Sequence, residues 1–423
     1  MAKRKKSYLI WILAVLAGGW IGPATLAQDQ SETEETSAFE LQDGDRVVLL
    51  GNALIEAEQE YGYVELALTT RWPDRSITFR NIGWAGDTVY GEARGHYTNP
   101  PGPYEHLLDQ VVAAQPTVLF VGYGANVAFE DTAGLARFEK GLDRLLSDLE
   151  DTTAARIVLL SPTPHEADAS PVPANTLRRY NEALQRATDV VAEAARTRGY
   201  GFIDLFSGMK ALEEQTSVPV TTNGVHLSDV GYYYMAALVE KGLGLPARRW
   251  SVAVEVDGEQ SETSGATASD VRVKQDGGTL AVQPAYMPMP PPPTLPTEAV
   301  PDVYRSELAV GGLRPGGYAL SALDDAIETA SAEQWAGGVA IYRGPHAEQA
   351  EKLRRLIIEK NRLYFQHYRP QNETYLLGFR AYEQGQHANE LEHFGPLIDE
   401  KELEIGRLRT PKTVIYTLAS STP

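Results

Sequence analysis

No cysteine occurs among the 423 residues. That excludes disulfide staples, thiol redox chemistry and thiolate metal sites. A chain of this length can rest on its own core instead, and 43% of it is hydrophobic. Positive charge is also scarce: 38 Lys and Arg stand against 57 Asp and Glu, giving a formal net charge of −19. Nucleic acid is therefore not an expected partner, because phosphate binding draws on a basic surplus. The histidines show no H-x-x-x-H spacing, so neither a metal nor another cofactor is expected.

The first 27 residues differ from the rest. Lys3 to Lys6 are basic, Tyr8 to Ile21 form an apolar run, and Ala24-Thr25-Leu26-Ala27 supply small residues. This is the pattern of a secretory signal peptide (1–27), cleaved after Ala27, and it implies a secreted or periplasmic protein without stable membrane insertion after cleavage. An uncleaved anchor is the alternative, and Gly18, Gly19, Gly22 and Pro23 speak for cleavage. Residues 28–44 are acidic and polar without periodicity, and read as a disordered lead-in.

From Asp45 onward, short apolar runs at Val47–Leu50, Ile77–Phe79, Val118–Val121, Ile157–Leu160 and Phe202–Leu205 alternate with loops and helical periodicity. Ala133 to Leu149, Asn175 to Arg198 and Ser228 to Glu240 have the spacing of helices that cover a sheet. The pattern predicts an α/β domain over 45–246, a three-layer, flavodoxin-like fold whose first strand lies beside the second and third. Residues 250–345 read as a smaller β-rich region, antiparallel in character, with a Pro-rich loop or stiff spacer at Met287 to Pro301. Residues 346–423 read as a helical C-terminal extension, and 45–246 are expected to fold without it.

In such a sheet, ligands bind beyond the carboxyl ends of the strands. The loops there read Gly51-Asn52-Ala53-Leu54, Asn81-Ile82-Gly83-Trp84-Ala85-Gly86-Asp87, Gly122-Tyr123-Gly124-Ala125-Asn126 and Ser161-Pro162-Thr163-Pro164-His165. Asn223-Gly224-Val225-His226 precedes the last helix of the domain. In order, spacing and placement these blocks resemble the SGNH (GDSL-type) hydrolases. The resemblance implies a nucleophile at position 53, oxyanion donors at Gly86 and Asn126, and a base at His226 held by an aspartate at 223. Two members depart from it: the nucleophile position is Ala53, and Asn223 stands for the aspartate.

Acyl transfer through serine needs a hydroxyl, a histidine to deprotonate it and a carboxylate to hold that histidine in the right tautomer. Only the middle member remains. Thr88, which follows Gly86-Asp87, and Ser161 are other hydroxyls near strand ends, and Ser228 has the position of a helix N-cap. Asn52, Trp84 and Tyr123 are candidates for ligand contact, with Tyr90 and Tyr97 on neighbouring loops. His165, in a strand-end loop, reads as an exposed histidine in preference to a ligand contact, His96 and His106 flank a rim loop, and Asp87 with Glu130 read as solvated surface acids in preference to a carboxylate pair. Two readings follow. One is a degenerate esterase fold that binds a small-molecule or carbohydrate ligand. The other is an active ester hydrolase that uses a water or another hydroxyl with His226. Oligomeric state is left open.

Overall fold

The computed structural model describes residues 39–95, 101–130, 132–167, 169–216, 218–258, 261–376, 380, 382–383 and 387–421. The signal-peptide reading therefore lies outside the described residues, as does most of the lead-in. Its last six residues do not match the disordered reading: Leu41 is fully buried, and Phe39 packs edge to face on Phe120 with centroids 6.4 Å apart. Two apolar side chains suffice to fasten this short segment against the sheet.

The five apolar runs form β1 (Arg46–Gly51), β2 (Thr78–Asn81), β3 (Val118–Gly122), β4 (Arg156–Leu160) and β5 (Gly201–Ile203). They pair in parallel in the order β2-β1-β3-β4-β5, so β1 lies beside β2 and β3 as expected. Alternation along each run explains why the runs are continuously apolar. Val47 and Leu49 of β1 belong to one core cluster, with Phe79, Phe120 and Val158, while Val48 and Leu50 belong to another, with Leu119, Val121 and Leu159. Both faces are buried, which leaves no place for polar alternation.

Helices cover each face: α1 (Ala53–Tyr61), α2 (Tyr63–Arg71), α6 (Leu205–Gln215) and α7 (Asp229–Gly242) on the first, and α3 (Pro103–Ala114), α4 (Thr132–Thr152) and α5 (Ala174–Arg198) on the second. At the α1–α2 junction Gly62 takes φ +67°, and the Glu58 carboxylate below it accepts from the N–H groups of Val64 (2.7 Å) and Glu65 (3.2 Å) through Oε1. Glu58 is 2% exposed and its Oε2 has no partner, so burial foremost pushes its pKa up to about 8. Between about pH 4.5 and 8 the folded chain thus holds a proton that the unfolded chain has released. Stability from this group is lost as pH rises through that window. Glu58→Gln should flatten that part of the stability profile and raise the melting temperature at pH 8 relative to wild type. Parallel profiles in a thermal melt series would contradict the assignment.

The remaining chain supplies β6 (Trp250–Glu255), β7 (Ser261–Ser264), β8 (Ala266–Lys274), β9 (Gly277–Pro284), β10 (Ser306–Gly311), β11 (Gly317–Ala322), β12 (Asp325–Ser331), α8 (Ala332–Gly337) and β13 (Val339–Ala340). There follow α9 (Pro345–Tyr368), α10 (Glu373–Leu376), α11 (Phe394–Leu408) and β14 (Val414–Ser420). The strands form two sheets, β13-β10-β6-β7 and β12-β11-β14-β9-β8, that enclose a third core around Trp250, Leu280, Leu308, Leu320 and Trp335.

Two expectations are corrected here. The β region is antiparallel except where β6 and β10 pair in parallel, because period-2 alternation sets a strand's faces and not its direction. The terminal extension is not wholly helical: β14 inserts between β11 and β9. The Pro-rich stretch runs without strand or α-helix and packs down on its neighbours. Met287 and Met289 are buried, and the Met287 carbonyl accepts from the Arg248 guanidinium at 3.0 Å.

The first core of 45–246 is shared with the terminal extension: α9 lies on α1, α2 and β2 and completes it. Leu353 and Ile357 are fully buried there. The Lys360 ammonium reaches the Glu65 carboxylate at 2.7 Å and the Phe79 carbonyl at 3.0 Å. Residues 38–423 accordingly form one compact unit.

Candidate active site

A cleft of about 290 Å³ opens where the loops after β1, β2 and β3 meet those after β4 and before α7. It lies at the point where the strand order reverses, the usual ligand position in such a sheet. Ala53, Gly86, Asn126, His165 and His226 all line it. The topology thus brings together four members of the predicted constellation, Ala53, Gly86, Asn126 and His226, with the fifth, Asn223, bonded to His226 from outside the lining, and it adds His165.

The β1 loop turns directly into α1. Asn52 is its N-cap: the side-chain oxygen accepts from Leu54 N–H at 3.2 Å, and the carbonyl accepts from Ile55 and Glu56 N–H at 3.0 and 2.9 Å. Asn52 also lines the cleft while only 5% exposed. Ala53 follows as the first helical residue and offers the cleft a methyl group in place of a nucleophile.

The β2 loop is fixed by Asn81, whose amide donates to the Ile55 carbonyl (2.5 Å) and accepts from Gly83 N–H (2.9 Å). Gly83 must be glycine, because a Cβ there would stand 2.3 Å from the Glu56 nitrogen. Glu56 in turn accepts from Ala85 N–H at 2.7 Å and from Arg369 at 2.7 Å, while the Tyr368 hydroxyl donates to the Gly83 carbonyl at 2.9 Å. The end of α9 therefore clamps the loop that carries Gly86. Gly86 itself takes φ +80° at the open cleft edge. Asn126 donates one amide hydrogen to the Asp87 carbonyl at 3.3 Å and keeps the other for the cleft.

Asp87 is fully buried under this loop, held by Arg94 Nε (2.7 Å), the Tyr123 hydroxyl (3.0 Å) and Ala93 N–H (3.2 Å). It is committed there and forms no acid pair with Glu130. Two predicted ligand contacts are corrected by the same network. Tyr123 is 3% exposed, and burial drives its phenol well above the ordinary range, so it serves as a fixed donor to Asp87. Trp84 is 4% exposed, with the Arg369 and Arg94 guanidinium carbons 3.7 and 5.2 Å from its ring centroid. Aromatic residues on a loop do not reveal in sequence whether they face in or out.

The other hydroxyls are engaged away from the cleft. Thr88 donates to Glu92 at 2.6 Å, Ser161 is buried against the Phe206 N–H at 3.0 Å, and Ser228 caps α7 by accepting from Gly231 N–H at 3.2 Å. His106 stands with its Nδ1 3.1 Å from the Arg94 carbonyl, and Tyr90 donates to the Arg137 carbonyl at 2.9 Å. His96 and Tyr97 lie outside the described residues.

Glu166, which the sequence did not single out, builds the histidine loop. Its carboxylate accepts from the N–H groups of Val220 and Thr221 at 2.9 Å each and from the Thr221 hydroxyl. Thr221 accepts from Gly224 N–H at 3.0 Å, closing the turn. At its tip, Asn223 Oδ1 accepts from Val225 and His226 N–H at 3.2 and 3.0 Å. Those two main-chain donors fix which end of the amide is oxygen. Nδ2 then stands 3.0 Å from His226 Nδ1, nearer than Oδ1 at 3.2 Å. The amide meets Nδ1 with both its nitrogen and its oxygen, so it serves either imidazole tautomer, where an aspartate would impose Nδ1–H and leave Nε2 free to accept a proton.

His165 is the second correction of exposure. It is 4% exposed, its main chain bonded both ways to the Asn181 amide at 2.8 Å and its ring set beside Phe129 and Tyr180 at 5.5 and 5.7 Å. Burial foremost, and then His226, holds its pKa below the ordinary value. Its position directly beyond β4 was the one available signal.

Residues 56–234 match the family model of the GDSL-like Lipase/Acylhydrolase family. No curated protein matches the sequence. Among solved structures, a gut microbial diltiazem-metabolizing enzyme is 18% identical with TM-score 0.70, over 90% of this chain and 99% of that one. The likeness therefore extends through the β region and the terminal helices. An acetylxylan esterase from Geobacillus stearothermophilus (18% identical, 48% of this chain and 96% of that one, TM-score 0.38) is also similar. So is an alpha/beta hydrolase enzyme from the metagenome of Lake Arreo, Spain (18%, 48% and 97%, TM-score 0.38). With the parallel sheet, the strand order and the four loop blocks in place, the α/β domain has an SGNH-type hydrolase fold, and residues 56–234 of it resemble the GDSL-like lipase/acylhydrolase family.

Proposed function

We propose that this is an extracytoplasmic member of the family that has lost acyl transfer through serine and keeps the cleft for binding. The observation that carries the reading is Ala53 at the start of α1, lining the same cleft as Gly86, Asn126 and His226. Asn223 beside His226 Nδ1 supports it independently, since a neutral amide cannot stabilise an imidazolium as the triad carboxylate does. What remains is a corner able to hold a carbonyl or anionic oxygen, next to the apolar side chains of Leu54, Ala57 and Leu227. The basic, apolar and small-residue order of the first 27 residues supports export. Among the described residues no helix is long and apolar enough to cross a membrane.

The second reading, an ester hydrolase that activates water through His226, has the retention of Gly86, Asn126 and His226 in its favour. The two differ in turnover. We expect the purified protein to hydrolyse p-nitrophenyl acetate at the rate of buffer containing an equal concentration of His226→Ala. A wild-type rate tenfold above that variant would establish the water mechanism in place of the binding role.

A further inference from the structure

Among the described residues that line the cleft there is no Asp, Glu, Lys or Arg, although the chain carries a formal charge of −19. Their polar side chains are the Asn52 and Asn126 amides, the Thr163 and Tyr232 hydroxyls and the imidazoles of His165 and His226. Asn126 has one uncommitted amide hydrogen, and the nine-residue α1 begins at Ala53 with the partial positive end of its dipole at the cleft. Tyr232 is already spent on the Leu54 carbonyl at 2.8 Å.

His165 is the feature that an ester carbonyl leaves unexplained. It is 96% removed from solvent, lines the cavity, and has both main-chain groups satisfied by Asn181, while its ring makes only aromatic contacts. The ring nitrogens are not among the buried polar atoms that lack a partner, so the imidazole is open to the cleft and a ligand atom can reach it. An ester presents one strongly accepting oxygen, which the Gly86 and Asn126 corner would occupy. A carboxylate presents two, and can meet that corner and an imidazole N–H together. Absence of the serine oxygen at position 53 leaves room for the second oxygen and removes a lone pair that would face it. A phosphate dianion lacks the Arg or Lys that its charge calls for.

We propose that the cleft binds a monocarboxylate with a short apolar tail, one oxygen at Gly86 and Asn126, the other at His165 and His226, and the tail along Leu54, Phe129 and Val225. This rests on the binding reading above and names its ligand class.

Calorimetric titration of the full-length protein with butyrate tests it, with butyramide as the neutral analogue of equal shape and inorganic phosphate as the anion control. The expected result is one saturable butyrate site, at least tenfold weaker affinity for butyramide, and no saturation by phosphate. His165→Phe should weaken butyrate tenfold or more while leaving butyramide unchanged. His226→Phe, at an exposed loop tip on which no core contact rests, should weaken butyrate independently of any folding defect at 165. Butyramide binding as well as butyrate, or phosphate binding better, would overturn the carboxylate assignment while leaving a binding cleft in place. No binding of either organic ligand would overturn both the assignment and the binding role. Unchanged butyrate affinity in both histidine variants would also overturn the assignment.

Discussion

Ala53→Ser combined with Asn223→Asp is expected to raise ester hydrolysis far above the wild-type rate. The serine alone should gain little, because the neutral Asn223 neither enforces the Nδ1–H tautomer nor stabilises the imidazolium that forms. In serine hydrolases, exchanging the triad aspartate for asparagine costs about 10⁴ in kcat, so the second substitution should add on the order of 10³–10⁴ over the first. Oxyanion donors worth about 10²–10³ each are already placed at Gly86 and Asn126. The whole constellation is worth on the order of 10⁶, which sets the upper limit. His226→Ala in the double variant should abolish the gain. Steady-state hydrolysis of p-nitrophenyl acetate by the four proteins checks this, and a gain that survives His226→Ala would place the chemistry elsewhere.

Removing residues 345–423 should have the second large effect, on folding rather than on chemistry. Leu353, Leu356 and Ile357 lie in the same core cluster as Leu66 and Phe79, and each is worth about 1.5–3 kcal/mol of burial. Lys360 leaves with them, so Glu65 would keep its buried place without its cation, a loss of about 3–5 kcal/mol for such pairs. The sum reaches the entire stability of an ordinary domain, about 5–15 kcal/mol. The truncated chain should give no cooperative thermal transition by circular dichroism. A cooperative transition in that truncated chain would show instead that the α/β domain stands without α9.

The division between what could and could not be foreseen follows from the range of the interactions. Val47 to Leu50 announce β1 because a strand buried on both faces must be apolar throughout, and the loop after it is then located without tertiary knowledge. The vacancy at Ala53 was legible in the same way, as one residue in a recognisable block. Lys360 and Glu65, by contrast, are joined across 295 positions, and nothing local marks either as buried. The same holds for β14, whose place between β11 and β9 is set by pairing over more than 90 residues. Trp84 and Tyr123 were misjudged because their loops are functional while their rings are not. Arg369 and Asp87, which turn those rings inward, come from other elements. His165 was misjudged in the opposite sense, since Phe129 and Tyr180 close over it only in the fold.

The central claim is that no nucleophile occupies the loop between β1 and α1, and intact-mass spectrometry after exposure to a serine-directed fluorophosphonate tests it most directly. Wild-type protein should keep its unmodified mass, while Ala53→Ser/Asn223→Asp treated in parallel should gain one phosphonyl adduct at residue 53. An adduct of the same mass on the wild-type chain would contradict the account.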